Sequence, residues 1–235
     1  NRLWLGFQDK GICIFDYVNN KISFQPEEIS KGQINSLLSS GDILWVNTEE
    51  NGILKYDKYG KSSRLVSENN LQNRAIDIIA DLENNIWLAE SIHLTRTSGD
   101  KIISINSIDN TKINFIHCVI TDKKGGIWFC PDRQLSHMYR DKNGEWEIEN
   151  FKIIESKEPA DIVTLYEDIY GFIWVGSLGE GVYRFNPATG KVRRFNEKTN
   201  IEESSILSIT GDGDEIWIGG FNGVSKFRIV SDGAS

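Results

Sequence analysis

Glu167-Asp168-Ile169-Tyr170-Gly171-Phe172-Ile173-Trp174-Val175-Gly176-Ser177, with Gly179-Glu180-Gly181-Val182-Tyr183-Arg184-Phe185 just beyond it, is the stretch that decides the fold. By itself it reads as a polar turn, a short apolar strand carrying a tryptophan, a glycine turn and a second strand. The chain writes it six times. An apolar residue, Trp and a second apolar residue occur at Leu3-Trp4-Leu5, Leu44-Trp45-Val46, Ile86-Trp87-Leu88, Ile127-Trp128-Phe129, Ile173-Trp174-Val175 and Ile216-Trp217-Ile218. Successive tryptophans are 41, 42, 41, 46 and 43 residues apart, and only Trp146 stands outside the series. A period in the low forties filled with short strands is the signature of four-stranded propeller blades.

Worked outward from that unit, the repeats fall at about 1–30, 31–70, 71–109, 110–155, 156–200 and 201–235 of one all-β domain. The second to fifth each supply four strands, for example Ala75–Ala80, Ile86–Ala89, Ile92–Thr95 and Ile102–Ile105 in the third, and Phe115–Ile120, Ile127–Cys130, Leu135–Tyr139 and Trp146–Phe151 in the fourth. The first repeat lacks an innermost strand and the sixth an outermost one. The expectation is therefore an arc of a larger propeller, with six separate incomplete-ended blades as the alternative. The chain opens on Asn1, directly in a strand, which suggests processing or excision from a longer protein.

The six tryptophans, Trp4, Trp45, Trp87, Trp128, Trp174 and Trp217, are expected to pack between blades as structural core, since one indole buries about 150–250 Å². The turns Asp81/Asn84, Asp122/Gly125 and Asp168/Gly171 read as Asp accepting turn amides while Gly or Asn takes the left-handed position. They are too poor in carboxylates for calcium, which wants about six to eight oxygens. Trp146 is expected to pack on the next blade or to present a face to a partner.

Composition narrows the function. A net charge of −8 over 235 residues argues against a nucleic-acid footprint. No apolar run approaches the ~20 residues of a membrane span, so no membrane contact by this chain is expected. Three cysteines, Cys13, Cys118 and Cys130, form no disulfide framework. Cys118 and Cys130 lie on neighbouring strands of one hairpin, where a one-residue change of register decides whether they share a face. Buried free thiols are expected. His93, His117 and His137 have no third ligand at supporting spacing beside Cys118, no serine sits in a nucleophile elbow, and the glycine turns lack the lysine and helix of a phosphate loop. No catalytic residue, metal site or cofactor is expected.

The repeat resembles the two-component regulator propeller repeat. The likeness is carried by Ile162 to Phe185, by Ile206-Leu207-Ser208-Ile209 through Ile216-Trp217-Ile218-Gly219-Gly220 and Gly223-Val224, and by the lead-in Glu68-Asn69-Asn70-Leu71-Gln72-Asn73. It extends over essentially the whole chain. It implies a blade array from the periplasmic sensor region of a hybrid two-component histidine kinase, of the kind found in gut Bacteroidetes. Such regions sense oligosaccharides, and they continue into a β-sandwich, a membrane span and the kinase. The implied partners are an oligosaccharide ligand, neighbouring blades or domains of the parent sensor, and a second copy in a homodimer. The third and fourth repeats depart from the pattern, with Ile92-His93-Leu94 and Pro131-Asp132-Arg133-Gln134 where others carry a glycine.

Strand alternation puts the loops between second and third strands on one rim, together with the connections between blades. On that rim Phe7, Gln8, Arg74, Arg133, Phe221 and Asn222 are the candidate ligand-binding residues, because convergent polar groups beside an exposed aromatic suit a saccharide or peptide. Binding without catalysis is the leading expectation. A secreted carbohydrate-active lyase or hydrolase, and a propeller that binds only proteins, are the alternatives.

Overall fold

The computed structural model describes residues 2–24, 33–49, 52–57, 62–64, 75–90, 93–98, 101–105, 107–108, 111–113, 115–131, 133–155, 160–195, 201 and 203–229. Every regular element among them is a strand. The lead-in 68–73 lies outside the described residues.

The chain forms two compact units, Asn1–Ile105 and Asn106–Ser235. The first unit holds a three-stranded sheet of β1 (Arg2–Phe7), β2 (Gly11–Asp16) and β3 (Lys21–Phe24). A four-stranded sheet follows, made of β4 (Ile34–Ser40), β5 (Ile43–Thr48), β6 (Gly52–Tyr56) and β7 (Ser62–Arg64). A second one comprises β8 (Asp77–Ala80), β9 (Ile86–Ala89), β10 (Leu94–Ser98) and β11 (Lys101–Ile105).

The second unit opens with a small unforeseen hairpin, β12 (Ser107–Ile108) with β13 (Thr111–Lys112). Its first four-stranded sheet is β14 (Val119–Thr121), β15 (Ile127–Phe129), β16 (Leu135–Arg140) and β17 (Trp146–Phe151). The next is β18 (Ile162–Glu167), β19 (Ile173–Ser177), β20 (Val182–Phe185) and β21 (Val192–Phe195). A three-stranded sheet of β22 (Ile206–Asp212), β23 (Glu215–Gly220) and β24 (Gly223–Arg228) completes it. Each of these sheets is an antiparallel meander in chain order, one per sequence repeat.

Two strand expectations are corrected. β14 begins at Val119 rather than Phe115, because Phe115 takes a φ of +47° that no extended strand accommodates. β10 begins at Leu94 rather than Ile92, and residue 92 lies outside the described residues.

The first hairpin of each blade comes in two lengths. In the sheets led by β8, β14 and β18 the turn runs through Asp-x-x-Asn/Gly, with Asn84, Gly125 and Gly171 at φ +62°, +88° and +79°. In those led by β4 and β22 it shrinks to two residues, Gly41-Asp42 and Gly213-Asp214, with register pairs Ser40↔Ile43 and Asp212↔Glu215 closing it.

Cores form between successive sheets within each unit. Trp45 packs on Ala75, Ile78, Ile86 and Leu88 of the following blade. Trp128 packs in the same manner on Ile162, Leu165, Ile173 and Val175, and Trp174 on Ile206, Ile209, Ile216 and Ile218. At about 25 cal/mol per Å² a wholly buried indole contributes about 4–6 kcal/mol of transfer free energy. Trp87, Trp128 and Trp174 are buried to within 2 % of complete, and Trp45 is 8 % exposed. The other two depart from the expected core role. Trp4 is 37 % exposed on β1, which has no strand on its inner side among the described residues. Trp217 is half-buried, in the sheet that comes last in chain order among the described residues.

Candidate functional site

The rim of the second unit is built by hydrogen bonds between blade loops and blade connections. Leu178 N donates to Asp161 O at 2.9 Å, and Gly179 N and Gly181 N donate to Ser204 O at 3.0 and 2.8 Å. Arg133 Nε reaches Asp161 Oδ1 at 2.8 Å. Glu203 accepts Ser205 N at 3.2 Å on one carboxylate oxygen and Asn222 N at 2.9 Å on the other. Arg133, Asp161, Leu178-Gly179, Ser204-Glu203 and Asn222 thus lie on one bonded path across three blades. The two amide donors to Glu203 hold its carboxyl below the usual range.

Arg133 reaches this path through an altered loop. In the second and fifth repeats a glycine of positive φ stands at the start of the third strand, Gly52 (+69°) as its first residue and Gly181 (+79°) just before it. In the fourth repeat Gln134 holds that place, and the left-handed residue moves one position earlier, to Arg133 at φ +66°. Gln134 N closes the loop on Pro131 O at 2.8 Å. The Arg133 side chain stays 54 % exposed, so its guanidinium can take a ligand group besides Asp161.

Of the six candidates, Arg133, Phe221 and Asn222 lie in the second unit, while Phe7 and Gln8 lie at the β1–β2 turn of the first. Arg74 lies outside the described residues. Phe221 is 74 % exposed and Gln8 is exposed, whereas Phe7 is half-buried.

Sequence reasoning missed a cavity of about 610 Å³ beside this rim, lined by Lys152, Glu155, Glu180, Tyr183, Val192 and Arg194 among others. Its floor is organised by Arg194. That guanidinium pairs with Glu180 at 2.7 Å, donates to Glu180 O at 3.1 Å and lies 5.6 Å from the Tyr183 ring centroid. The volume is that of a small-ligand pocket. Signals were present in Glu180 and Arg194, which stand close only once Tyr183 and Arg194 are paired across β20 and β21.

A second arrangement missed in the sequence explains the repeat itself. Directly across from each tryptophan but the first stands a basic side chain or histidine: Lys55 opposite Trp45, Arg96 opposite Trp87, His137 opposite Trp128, Arg184 opposite Trp174 and Lys226 opposite Trp217. The charged ends of the lysines and arginines lie over the indoles, 5.5 Å from the Trp174 centroid for Arg184 and 4.8 Å from that of Trp217 for Lys226. His137 stacks flat on Trp128 at 4.0 Å and 7°.

Where the turn is long, its Asp completes the set. Asp168 accepts Tyr170 N and Phe172 N on Oδ1, and Trp174 Nε1 and Arg184 Nε, both at 2.9 Å, on Oδ2. Asp81 repeats the pattern with Glu83 N, Asn85 N, Trp87 Nε1 and Arg96 Nε. Asp122 gives Oδ2 to His137 Nε2 at 2.7 Å. Burial raises the Asp122 carboxyl, but His137 and two turn amides outweigh it and leave it below the usual range. His137 is thus a clamp between turn and indole. Among the described residues, no group of three or more His, Cys, Asp or Glu is placed to hold a metal ion.

Comparison with known proteins agrees with this architecture. No protein-family model matches the chain, and neither does any curated protein. Solved structures match over nearly all of it. The extracellular domain of the hybrid two component system BT4673 from B. thetaiotaomicron superposes with a TM-score of 0.80 at 23 % identity, over 98 % of this chain and 31 % of that one. That of BT3049 from the same organism gives 0.74 at 16 %, over 96 % and 31 %. The WD40 propeller domain of Doa1 gives 0.71 at 14 % identity, over 96 % and 73 %. The fold is a β-propeller. The virginiamycin B lyase of Staphylococcus aureus is similar at a TM-score of 0.75 and 17 % identity, over 97 % of this chain and 81 % of that one. This propeller chain spans about a third of the length of the sensor domains that it matches.

Proposed function

We propose that this chain is a ligand-sensing propeller segment from the periplasmic region of a hybrid two-component sensor histidine kinase, and that it acts by binding. The observation that carries the reading is its likeness over 98 % of its length to a sensor extracellular domain. Coverage of about a third of that domain supports an arc of a larger propeller. The ligand is an oligosaccharide, held by the second unit's rim. Exposed Phe221 offers a stacking face, and Arg133 and Asn222 offer polar contacts. Signalling through a homodimer follows if the ligand favours one arrangement of paired sensors over another.

The test is titration calorimetry against defined oligosaccharide pools, with Arg133→Ala and Phe221→Ala. Each is expected to weaken binding at least tenfold. Arg133→Ala should leave the melting temperature nearly unmoved, since its half-exposed ion pair is worth about 1 kcal/mol or less. Unaltered affinity in both variants removes the rim from the reading.

A carbohydrate-active or other lyase is the second reading, favoured by the likeness to virginiamycin B lyase. Product formed from complex glycans or from virginiamycin B by this chain alone would decide for it.

A further inference from the structure

Two residues beyond each repeat tryptophan stand Gly6, Asn47, Ala89, Cys130, Gly176 and Gly219. At Gly6 and Gly176 the next blade's inner strand presses on this position. A Cβ on Gly176 would lie 2.7 Å from Ile206 Cγ2, and one on Gly6 would lie 2.5 Å from Ile34 Cγ2. The residue paired with it on the neighbouring inner strand is Ser36, Asp77, Thr164 or Ser208. The two positions face the same way and touch. Asn47 Nδ2 bonds Ser36 Oγ at 3.3 Å, and a Cβ on Gly219 would lie 2.8 Å from Ser208 Oγ.

In the fourth blade this pair is Cys118 and Cys130. Beyond Val119↔Phe129 the strands stay bonded through a bulge, where Cys130 N donates to Cys118 O at 3.1 Å and His117 N to Cys130 O at 3.2 Å. The one-residue ambiguity of the sequence is thereby resolved: both thiols are on one face, in one buried cluster with Trp128 and Ile162. Directly opposed residues of antiparallel strands have Cα atoms about 4.5–5.5 Å apart, inside the range a disulfide spans. Burial pushes the Cys130 thiol well up, and the adjacent Cys118 adds to the push.

We infer that Cys118 and Cys130 are a redox pair that a disulfide oxidant closes into a cross-strand bridge, tying the inner two strands of the fourth blade. All three thiols are unbridged and buried in the folded chain, so closure belongs to the folding chain, before the fifth blade covers the pair. With oxidised glutathione, one cysteine thiolate attacks a glutathione sulfur, forms a mixed disulfide and releases one glutathione thiol. The second cysteine then attacks the protein-bound sulfur, forms the bridge and releases the other. The two protein sulfurs are oxidised by two electrons, and glutathione disulfide is reduced to two thiols.

The full chain, unfolded and reduced, is refolded in a mixture of oxidised and reduced glutathione and then alkylated in denaturant. The expected result is one alkylated thiol, Cys13, in place of three. A peptide linking Cys118 to Cys130 should lack two hydrogen atoms, and melting should come several degrees above that of the reduced chain. Cys13→Ser should then show no free thiol. Three alkylated thiols, glutathione left on both cysteines without a bridge, a bridge to Cys13, or a bridged chain that melts below the reduced one would each overturn the inference.

Discussion

Removing the Asp168 carboxylate tests whether the clamp within a blade holds it together. Asp168 is fully buried, Arg184 is 4 % exposed and Trp174 is closed over both. In Asp168→Ala the guanidinium keeps its charge and its ring neighbours, Phe172 at 3.9 Å among them, but loses the carboxylate that neutralised it. Removing one member of a buried ion pair costs about 3–5 kcal/mol. At about 2–4 °C per kcal/mol for a chain of this size, scanning calorimetry should show the affected transition falling by about 6–20 °C. The double variant Asp168→Ala/Arg184→Met removes the buried guanidinium as well and should recover at least about 1 kcal/mol relative to the single one. Asp141 is the control. It accepts Asn143 N and Glu145 N in a turn of the same pattern, with neither an indole nor a guanidinium on its carboxylate among the described residues, and it is only half-buried. Asp141→Ala should therefore move the transition far less. A loss below about 1 kcal/mol for Asp168→Ala, or a double variant costing the sum of the two singles, would refute the clamp as a stabilising unit.

Other outcomes follow from the same geometry. Burial raises the Asp77 carboxyl to about 6, against a weaker opposing bond from Ile78 N. The folded chain then binds more protons than the unfolded one between about pH 4 and pH 6, so this group's contribution to stability falls as pH rises through that window. Asp77→Asn should raise stability at pH 7 by about 1–3 kcal/mol and change little at pH 4, as read from melting curves across that range. Gly176→Ala places a Cβ 2.5 Å from Thr164 Cγ2 and 2.7 Å from Ile206 Cγ2, and should cost about 1–3 kcal/mol in denaturant unfolding. Trp174→Ala should cost about 3–5 kcal/mol, while Trp217→Ala, starting from a half-buried side chain, should cost less than half as much.

The blade plan was open to reading because its determinants are local. Strands such as Trp146–Phe151 and Ile173–Ser177 alternate or run apolar between turn residues, and Asp168 and Gly171 each act within five residues of the chain. What escaped depended on register. Arg184 stands ten residues beyond Trp174 and His137 nine beyond Trp128, a difference set by loop length, so the pairing hid behind a variable spacing. The face shared by Cys118 and Cys130 was hidden for the same reason. Trp4 and Trp217 show that an identical motif meets different surroundings according to its blade's neighbours. In the second unit the loop after β19 bonds to the blade connections as strand parity implies, yet the cavity beside Arg194 needs two strands paired before its charges meet.

Because carboxylate, indole and guanidinium of the Asp81 and Asp168 clamps come from a single meander, the polar matching of the clamp is settled inside one cassette of about forty residues. The blade-to-blade packing at Trp174 is made with isoleucines, which tolerate exchange for other aliphatic groups. Copying, losing or transplanting a whole cassette therefore strands no buried charge, and a lineage built from such parts can alter its number of blades without re-solving the chemistry of any one of them.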